Sequence, residues 1–289
     1  KNTELLSIII PFYNEQEVIE ECQSRLSSAV KAIDMDVEMI YINDGSKDNT
    51  LSILSKLLEK DSRIKIIDLS RNFGKEIAMT AGIDAAKGDA VIVIDADLQD
   101  PPELMVDMVA KWREGFDVVY AKRVERKGES FMKKLTASLF YKLINKISDT
   151  EIPANVGDFR LMSRQAVDAL NQVRERKRFM KGLFAWIGFP QTAIEYSRDP
   201  RFAGETNWNY GKLIKFAVEG ISSFTQEPLR LATYAGFFTA LGAFLFGLYF
   251  IAKTLIFGEV VQGFTTLITV ILFFSGVQLL SIGILGEYI

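Results

Sequence analysis

Apolar residues follow two regimes along the chain. Up to about Leu229, short apolar runs alternate with amphipathic stretches; from Leu231 onward polar positions become scarce. In the first regime the runs Leu6–Phe12, Val37–Asn43, Ile64–Leu69, Ala90–Ile94 and Asp117–Ala121 are mainly apolar, and Ala90–Ile94 is wholly apolar and mostly β-branched. All five read as strands, and Ala90–Ile94 as one covered on both faces. Helical spacing fills the gaps. In the second gap Leu51, Leu54 and Leu58 share one face after the turn Asn43-Asp44-Gly45-Ser46, with Asp48 placed to cap the helix. Strand and helix in alternation predict an α/β fold: a doubly wound, mostly parallel sheet. Polar joints are expected at Ser148–Asn155 and Arg198–Asn209.

The second regime reads as membrane. Leu231–Ala252 and Phe264–Gly286 contain no formal charge, and at about 22 and 23 residues each can cross a hydrocarbon core roughly 30 Å thick. A buried core hairpin is the alternative. Residues 1–208 are therefore expected to form a cytoplasmic catalytic domain, 209–229 a juxtamembrane amphipathic segment, and 230–289 two transmembrane helices. Basic residues before the first span, against Lys253 alone in the connecting loop, place the large domain inside. The expected localisation is an inner or plasma membrane. Two amphipathic faces, Phe131/Leu135/Leu139/Leu143 with its lysines and Leu213/Phe216/Ile221/Phe224, either lie on the bilayer or pack against the sheet. The spacing Ala235, Thr239, Ala243, Gly247 permits close helix contact, within the hairpin or in a homo-oligomer. No signal peptide is expected, because the apolar run Leu5–Ile10 is short. Ile289 follows the second span directly, which leaves room for a cytoplasmic tail beyond it.

Composition narrows the chemistry. The chain has no histidine and one cysteine, Cys22, which excludes imidazole-based triads, an intrachain disulfide and a zinc site. A formal charge of −3 argues against a nucleic-acid partner. No GxGxxG or Walker-type loop occurs. Three predicted strands instead end in polar groups: Pro11-Phe12-Tyr13-Asn14-Glu15, Asp44-Gly45-Ser46 and Asp95-Ala96-Asp97. Ligands bind at such strand ends in open α/β sheets. Asp95 and Asp97, closely spaced at one end, can converge on a hard cation such as Mg²⁺ or Mn²⁺.

Several further motifs occur in order: Ser70-Arg71-Asn72-Phe73-Gly74-Lys75, Asp95-Ala96-Asp97-Leu98-Gln99, Gly157-Asp158-Phe159-Arg160 and Arg201-Phe202-Ala203-Gly204-Glu205-Thr206. With the strand ends above, they resemble the family 2 glycosyltransferases of GT-A fold. The likeness is to the polyprenyl-phosphate enzymes close to bactoprenol glucosyltransferase and dolichol-phosphate mannose synthase. The resemblance implies that Pro11, Tyr13, Glu15, Asp44, Asn72, Lys75 and Asp95 bind the nucleotide-sugar donor. It also implies that Asp97, Gln99 and Asp95 hold Mg²⁺ or Mn²⁺, and that Asp158 and Asp97 are catalytic. The acceptor phosphate would meet Arg123, Lys134, Ser138, Arg160, Arg201 and Thr206. Asn207 stands where the family usually has Lys, a departure Lys212 could offset. The implied reaction is inverting transfer of a hexose, glucose from UDP-glucose first, to polyprenyl (undecaprenyl) phosphate at the bilayer. Alternatives are another sugar on the same carrier (mannose from GDP-mannose, GlcNAc or an aminoarabinose) or a non-catalytic protein that binds the carrier lipid. A processive polysaccharide synthase is disfavoured, since no Arg precedes Trp112, Trp186 or Trp208.

Overall fold

The computed structural model describes residues 3–124, 156–173, 180–197 and 263–288, with single helical positions between 234 and 256. Seven strands form one sheet: β1 (Leu5–Phe12), β2 (Asp36–Asn43), β3 (Ile64–Asp68), β4 (Ala90–Val93), β5 (Val118–Arg123), β6 (Val156–Ser163) and β7 (Gln191–Tyr196). Their order is β3-β2-β1-β4-β6-β5-β7. All neighbours run parallel except β6, which is antiparallel to both β4 and β5. The five strands expected from apolar runs are present, with boundaries within two residues.

Helices cover both faces, as side-chain alternation requires. On one face Leu6, Ile8, Met39, Tyr41 and Phe159 pack with α1 (Ile19–Ala29), α2 (Thr50–Lys60) and α4 (Met105–Arg113). On the other, Ile9, Ile40, Val91 and Met162 pack with α3 (Lys75–Ala85), α5 (Arg164–Gln172) and α6 (Met180–Trp186). The face predicted for α2 is rotated: Leu54 is buried, Ile53 and Leu57 pack beside it, and Leu58 is exposed. Asp48 lies one residue before the α2 N-cap Asn49 and accepts the Thr50 amide at 3.0 Å.

The last helix, α7, runs from Phe264 to Tyr288, 25 residues. Over the described residues alone, no helix is long and apolar enough to cross a membrane. Of the 25 α7 side chains, 12 fall outside that set, and its uninterrupted sequence carries no charge before Glu287. The first predicted span and the segment 209–229 lie outside the described residues, apart from single positions.

Candidate active site

Every parallel strand brings its carboxyl end to the same edge of the sheet, and antiparallel β6 brings its first residues there. The register pairs Val93 with Arg160, so Asp158 emerges beside Asp95 although 63 positions separate them in sequence. β1 loses its β4 neighbour after the Ile9–Val93 pair. Pro11, which has no N–H to donate, lies just beyond that point.

Two loops at this edge are laced together. The Asn14 amide donates to Ser46 Oγ (3.0 Å), the Lys47 amide to Asn14 Oδ1 (2.8 Å) and the Glu15 amide to Thr50 Oγ1 (3.0 Å). Asn14 takes a left-handed φ of 53° in doing so. These bonds set Tyr13 and Glu15 at the rim beside Asp44.

Asp44 is 3% exposed and ties down a third loop: its carboxylate accepts the Phe73 amide at 2.7 Å and the Gly74 amide at 3.0 Å. Burial raises its pKa, and the two amides oppose that rise. Each carboxylate oxygen keeps a second lone pair for a donor group. Gly45 makes the approach possible. Its φ is +62°, and a Cβ would stand 2.3 Å from the Arg71 carbonyl carbon, so a side chain there would displace the loop carrying Asn72, which is exposed. Within that loop the Arg71 guanidinium stacks 4.2 Å over Phe73.

Lys75, the first residue of α3, is the cationic centre. Its Nζ lies 2.6 Å and 2.8 Å from the two Asp95 oxygens and donates to Asp158 Oδ2 at 2.5 Å. Partial withdrawal from water would depress the ammonium pKa, although the side chain is 41% exposed, and the charges of Asp158 and Asp95 reverse the sign and hold it above the ordinary lysine range. Asp95 shows the opposite balance. Burial raises its carboxyl pKa, Lys75 opposes this, and the neighbouring charges of Asp158, Asp97 and Asp100 add to the rise. Burial and the neighbouring carboxylates together outweigh the lysine.

The turn after Asp95 is strained. Leu98, only 3% exposed, adopts φ 56°, a conformation costing about 1–3 kcal/mol for a bulky residue and held only where surrounding structure enforces it. Asp97 Oδ1 accepts the Gln99 amide across this turn at 3.2 Å. The all-oxygen, carboxylate-rich set fits a hard divalent cation. No three such side chains among the described residues form a ready-made cage, and one or two carboxylates with substrate phosphates suffice for Mg²⁺.

The acceptor candidates divide. Lys134, Ser138, Arg201 and Thr206 lie outside the described residues. Arg123, ending β5, is 18% exposed and is engaged by Tyr196 and Asp100. Arg160 is 4% exposed; its guanidinium stacks 3.7 Å over Phe184 and donates to the Gly157 carbonyl at 2.9 Å. Burial lowers its pKa to about 10 against the pull of Asp158 and Glu76. Arg160 therefore stands behind Asp158, walled off from the rim.

Sequence reasoning missed two residues here. Asp100, which none of the motifs marks, is fully buried and receives the Tyr196 hydroxyl. Tyr196 ends β7, an element that no apolar run announced. A Pro-Pro pair after Asp100 matched a helix start, and a 3-10 turn at Pro102–Leu104 does lead into α4.

The chain has counterparts among known proteins. The family model described as Glycosyl transferase family 2 matches residues 7–170, and one described as GtrB C-terminal hairpin matches 227–289. The chain is 51% identical over 284 residues to an uncharacterized glycosyltransferase of Synechocystis sp., covering 98% of this chain and 89% of that protein. It is 46% identical to the bactoprenol glucosyl transferase of Shigella phage SfV, covering 98% and 92%. Among solved structures, a mannosyltransferase from Pyrobaculum calidifontis in complex with GDP-Man and Mn²⁺ superposes with a TM-score of 0.51 at 17% identity, covering 75% of this chain and 61% of that one. Mannosyl-3-phosphoglycerate synthase from Rubrobacter xylanophilus gives 0.51 at 18% identity, covering 75% and 71%. These likenesses establish the GT-A fold.

Proposed function

The chain belongs to glycosyl transferase family 2, and on that premise we propose that it transfers glucose from UDP-glucose to a polyprenyl phosphate, with inversion, at the cytoplasmic face of a membrane. The observation that carries this reading is the 46% identity to a bactoprenol glucosyl transferase over 98% of the chain, C-terminal hairpin included. In the reaction an oxygen of the lipid phosphate bonds to the anomeric carbon as the bond from that carbon to the diphosphate oxygen breaks. The electron pair leaves with UDP, and the product is polyprenyl phosphate-glucose.

A lipid monophosphate is largely ionised at neutral pH, its second pKa being about 6, so the nucleophile needs little deprotonation. Positioning and charge then dominate. Asp158 and Asp95 hold the Lys75 ammonium at the strand ends, where it can meet the donor's phosphates. Asp44 and the laced loops carrying Pro11, Tyr13, Glu15 and Asn72 form the nucleotide wall. Asp97, Gln99 and Asp95 would hold Mg²⁺ or Mn²⁺, which when bound neutralises charge on the departing diphosphate. The hairpin anchors the domain: α7 turns Leu267, Ile271, Phe273 and Ile282 outward, a surface suited to lipid or to a second helix.

The test is transfer of radiolabel from a panel of UDP- and GDP-sugars to undecaprenyl phosphate by the purified full chain. Label from UDP-glucose should enter the organic phase, and EDTA and Asp97→Ala should each reduce it by about a hundred- to a thousandfold, the scale for removing a main electrostatic stabiliser. Label from another sugar alone would reassign the donor. EDTA-resistant transfer would remove the metal, and no lipid label from any donor would remove the reaction.

A further inference from the structure

A compact polar cluster joins three elements beside the lysine site. The Tyr196 hydroxyl, at the end of β7, donates to Asp100 Oδ1. It also accepts a hydrogen bond from Arg123 Nε at 3.1 Å. Arg123 Nη2 lies 3.6 Å from the same Asp100 oxygen, at the end of β5. Asp100 is 0% exposed and Tyr196 is 6% exposed. Gly157, next to Asp158, makes room: a Cβ there would stand 3.0 Å from Arg123 Nη2 and 3.6 Å from Asp100 Oδ2.

The placement is specific. Asp100 directly follows Gln99, so it is fixed to the strained turn carrying Asp95 and Asp97. Arg123 and Tyr196 are register partners across β5 and β7. An arginine with four rotatable stem bonds is a poor phosphate ligand unless something fixes its fork, since ordering it costs side-chain entropy. A wholly buried carboxylate with a tyrosine hydroxyl can do that while leaving other guanidinium donors available.

We propose that Asp100, acting with Tyr196, is a positioning residue: it orients Arg123 toward the acceptor's phosphate and locks that arginine to the turn that serves the donor. This rests on the acceptor reading above. It makes the donor turn and the acceptor arginine one mechanical unit, so that acceptor affinity depends on a residue that touches neither substrate.

The experiment measures acceptor KM, kcat and UDP affinity for the full chain in lipid nanodiscs with undecaprenyl phosphate. Asp100→Asn should raise acceptor KM about tenfold while the Kd for UDP stays within about twofold, the signature of lost binding rather than lost fold. Tyr196→Phe, which keeps the ring and is the safer variant for folding, should raise it about threefold. Arg123→Gln should reproduce the effect, and adding Asp100→Asn to it should cost no more than about a further twofold, because the two residues act as one. Unchanged acceptor KM in both Asp100→Asn and Tyr196→Phe, with Arg123→Gln still impaired, overturns this inference and leaves the acceptor reading standing. Equal losses of UDP and acceptor affinity in Asp100→Asn and Tyr196→Phe overturn it too, in favour of a structural role. Unchanged acceptor KM in Arg123→Gln overturns it together with the role given to that arginine.

Discussion

Both ends of this sheet bury carboxylates, yet they do so in opposite ways. At the amino end Glu38, 5% exposed, accepts from Ser7 Oγ (2.5 Å), Lys65 Nζ (2.5 Å) and the Lys87 amide (2.8 Å), while the Gly88 amide donates to Ser7 Oγ (2.8 Å). Burial pushes its pKa up, but the Lys65, Ser7 and Lys87 hydrogen bonds outweigh that and leave it below the ordinary value. At the carboxyl end Asp95 shares Lys75 with Asp158; burial first, and then the charges of Asp158, Asp97 and Asp100, raise its pKa against the pull of Lys75. A buried carboxylate with a full set of donors is a structural fastening. One crowded by others of its kind marks a place meant to receive positive charge or ligand.

The amino end offers the larger stability effect. Glu38→Ala strands the Ser7 hydroxyl and the Lys87 amide and should cost about 2–4 kcal/mol in melting or denaturant experiments, with transfer per folded molecule unchanged. The pH dependence has a definite sign. Because Glu38's folded pKa lies below its ordinary 4.5, its contribution is complete above that value and is lost as pH falls through the folded pKa. Glu38→Gln should flatten the acid limb of the stability profile. A profile identical to that of the natural chain would show that the network is inert.

The carboxyl end should respond in the other direction, and less. Asp95→Asn removes like-charge crowding, so without donor or metal it should raise stability by about 1 kcal/mol, the scale of relief found at strained functional sites. A carboxylate whose folded pKa is raised destabilises above that pKa and does so less as pH falls through it. A lower melting temperature for Asp95→Asn would mean that the Lys75 pairing outweighs the crowding.

Much of this contrast was legible before folding was considered. Buried strands show as mainly apolar runs, and Asp44, Asp95 and Asp97 stand at their ends by position alone. β6 was hidden because Val156–Ser163 carries Asp158 and Arg160 within eight buried residues, which breaks any apolar run. β7, Gln191–Tyr196, has only its last residue fully buried. The Lys75–Asp158 pairing depends on β6 inserting antiparallel between β4 and β5, a tertiary choice invisible to local pattern. The same holds for Asp100, whose hydroxyl partner lies 96 positions away. Arg160 looked like a phosphate ligand by residue type, and only the Phe184 ring against it shows that it faces inward.

The most direct test of the crowded end as the catalytic centre is Asp158→Asn, assayed for label transfer to polyprenyl phosphate and for melting temperature in the same preparation. Transfer should fall about a hundred- to a thousandfold while melting holds or rises, since the change keeps shape and removes one crowded charge. Near-normal transfer, or collapse of the fold with it, would contradict that assignment and place Asp158 among the structural carboxylates with Glu38.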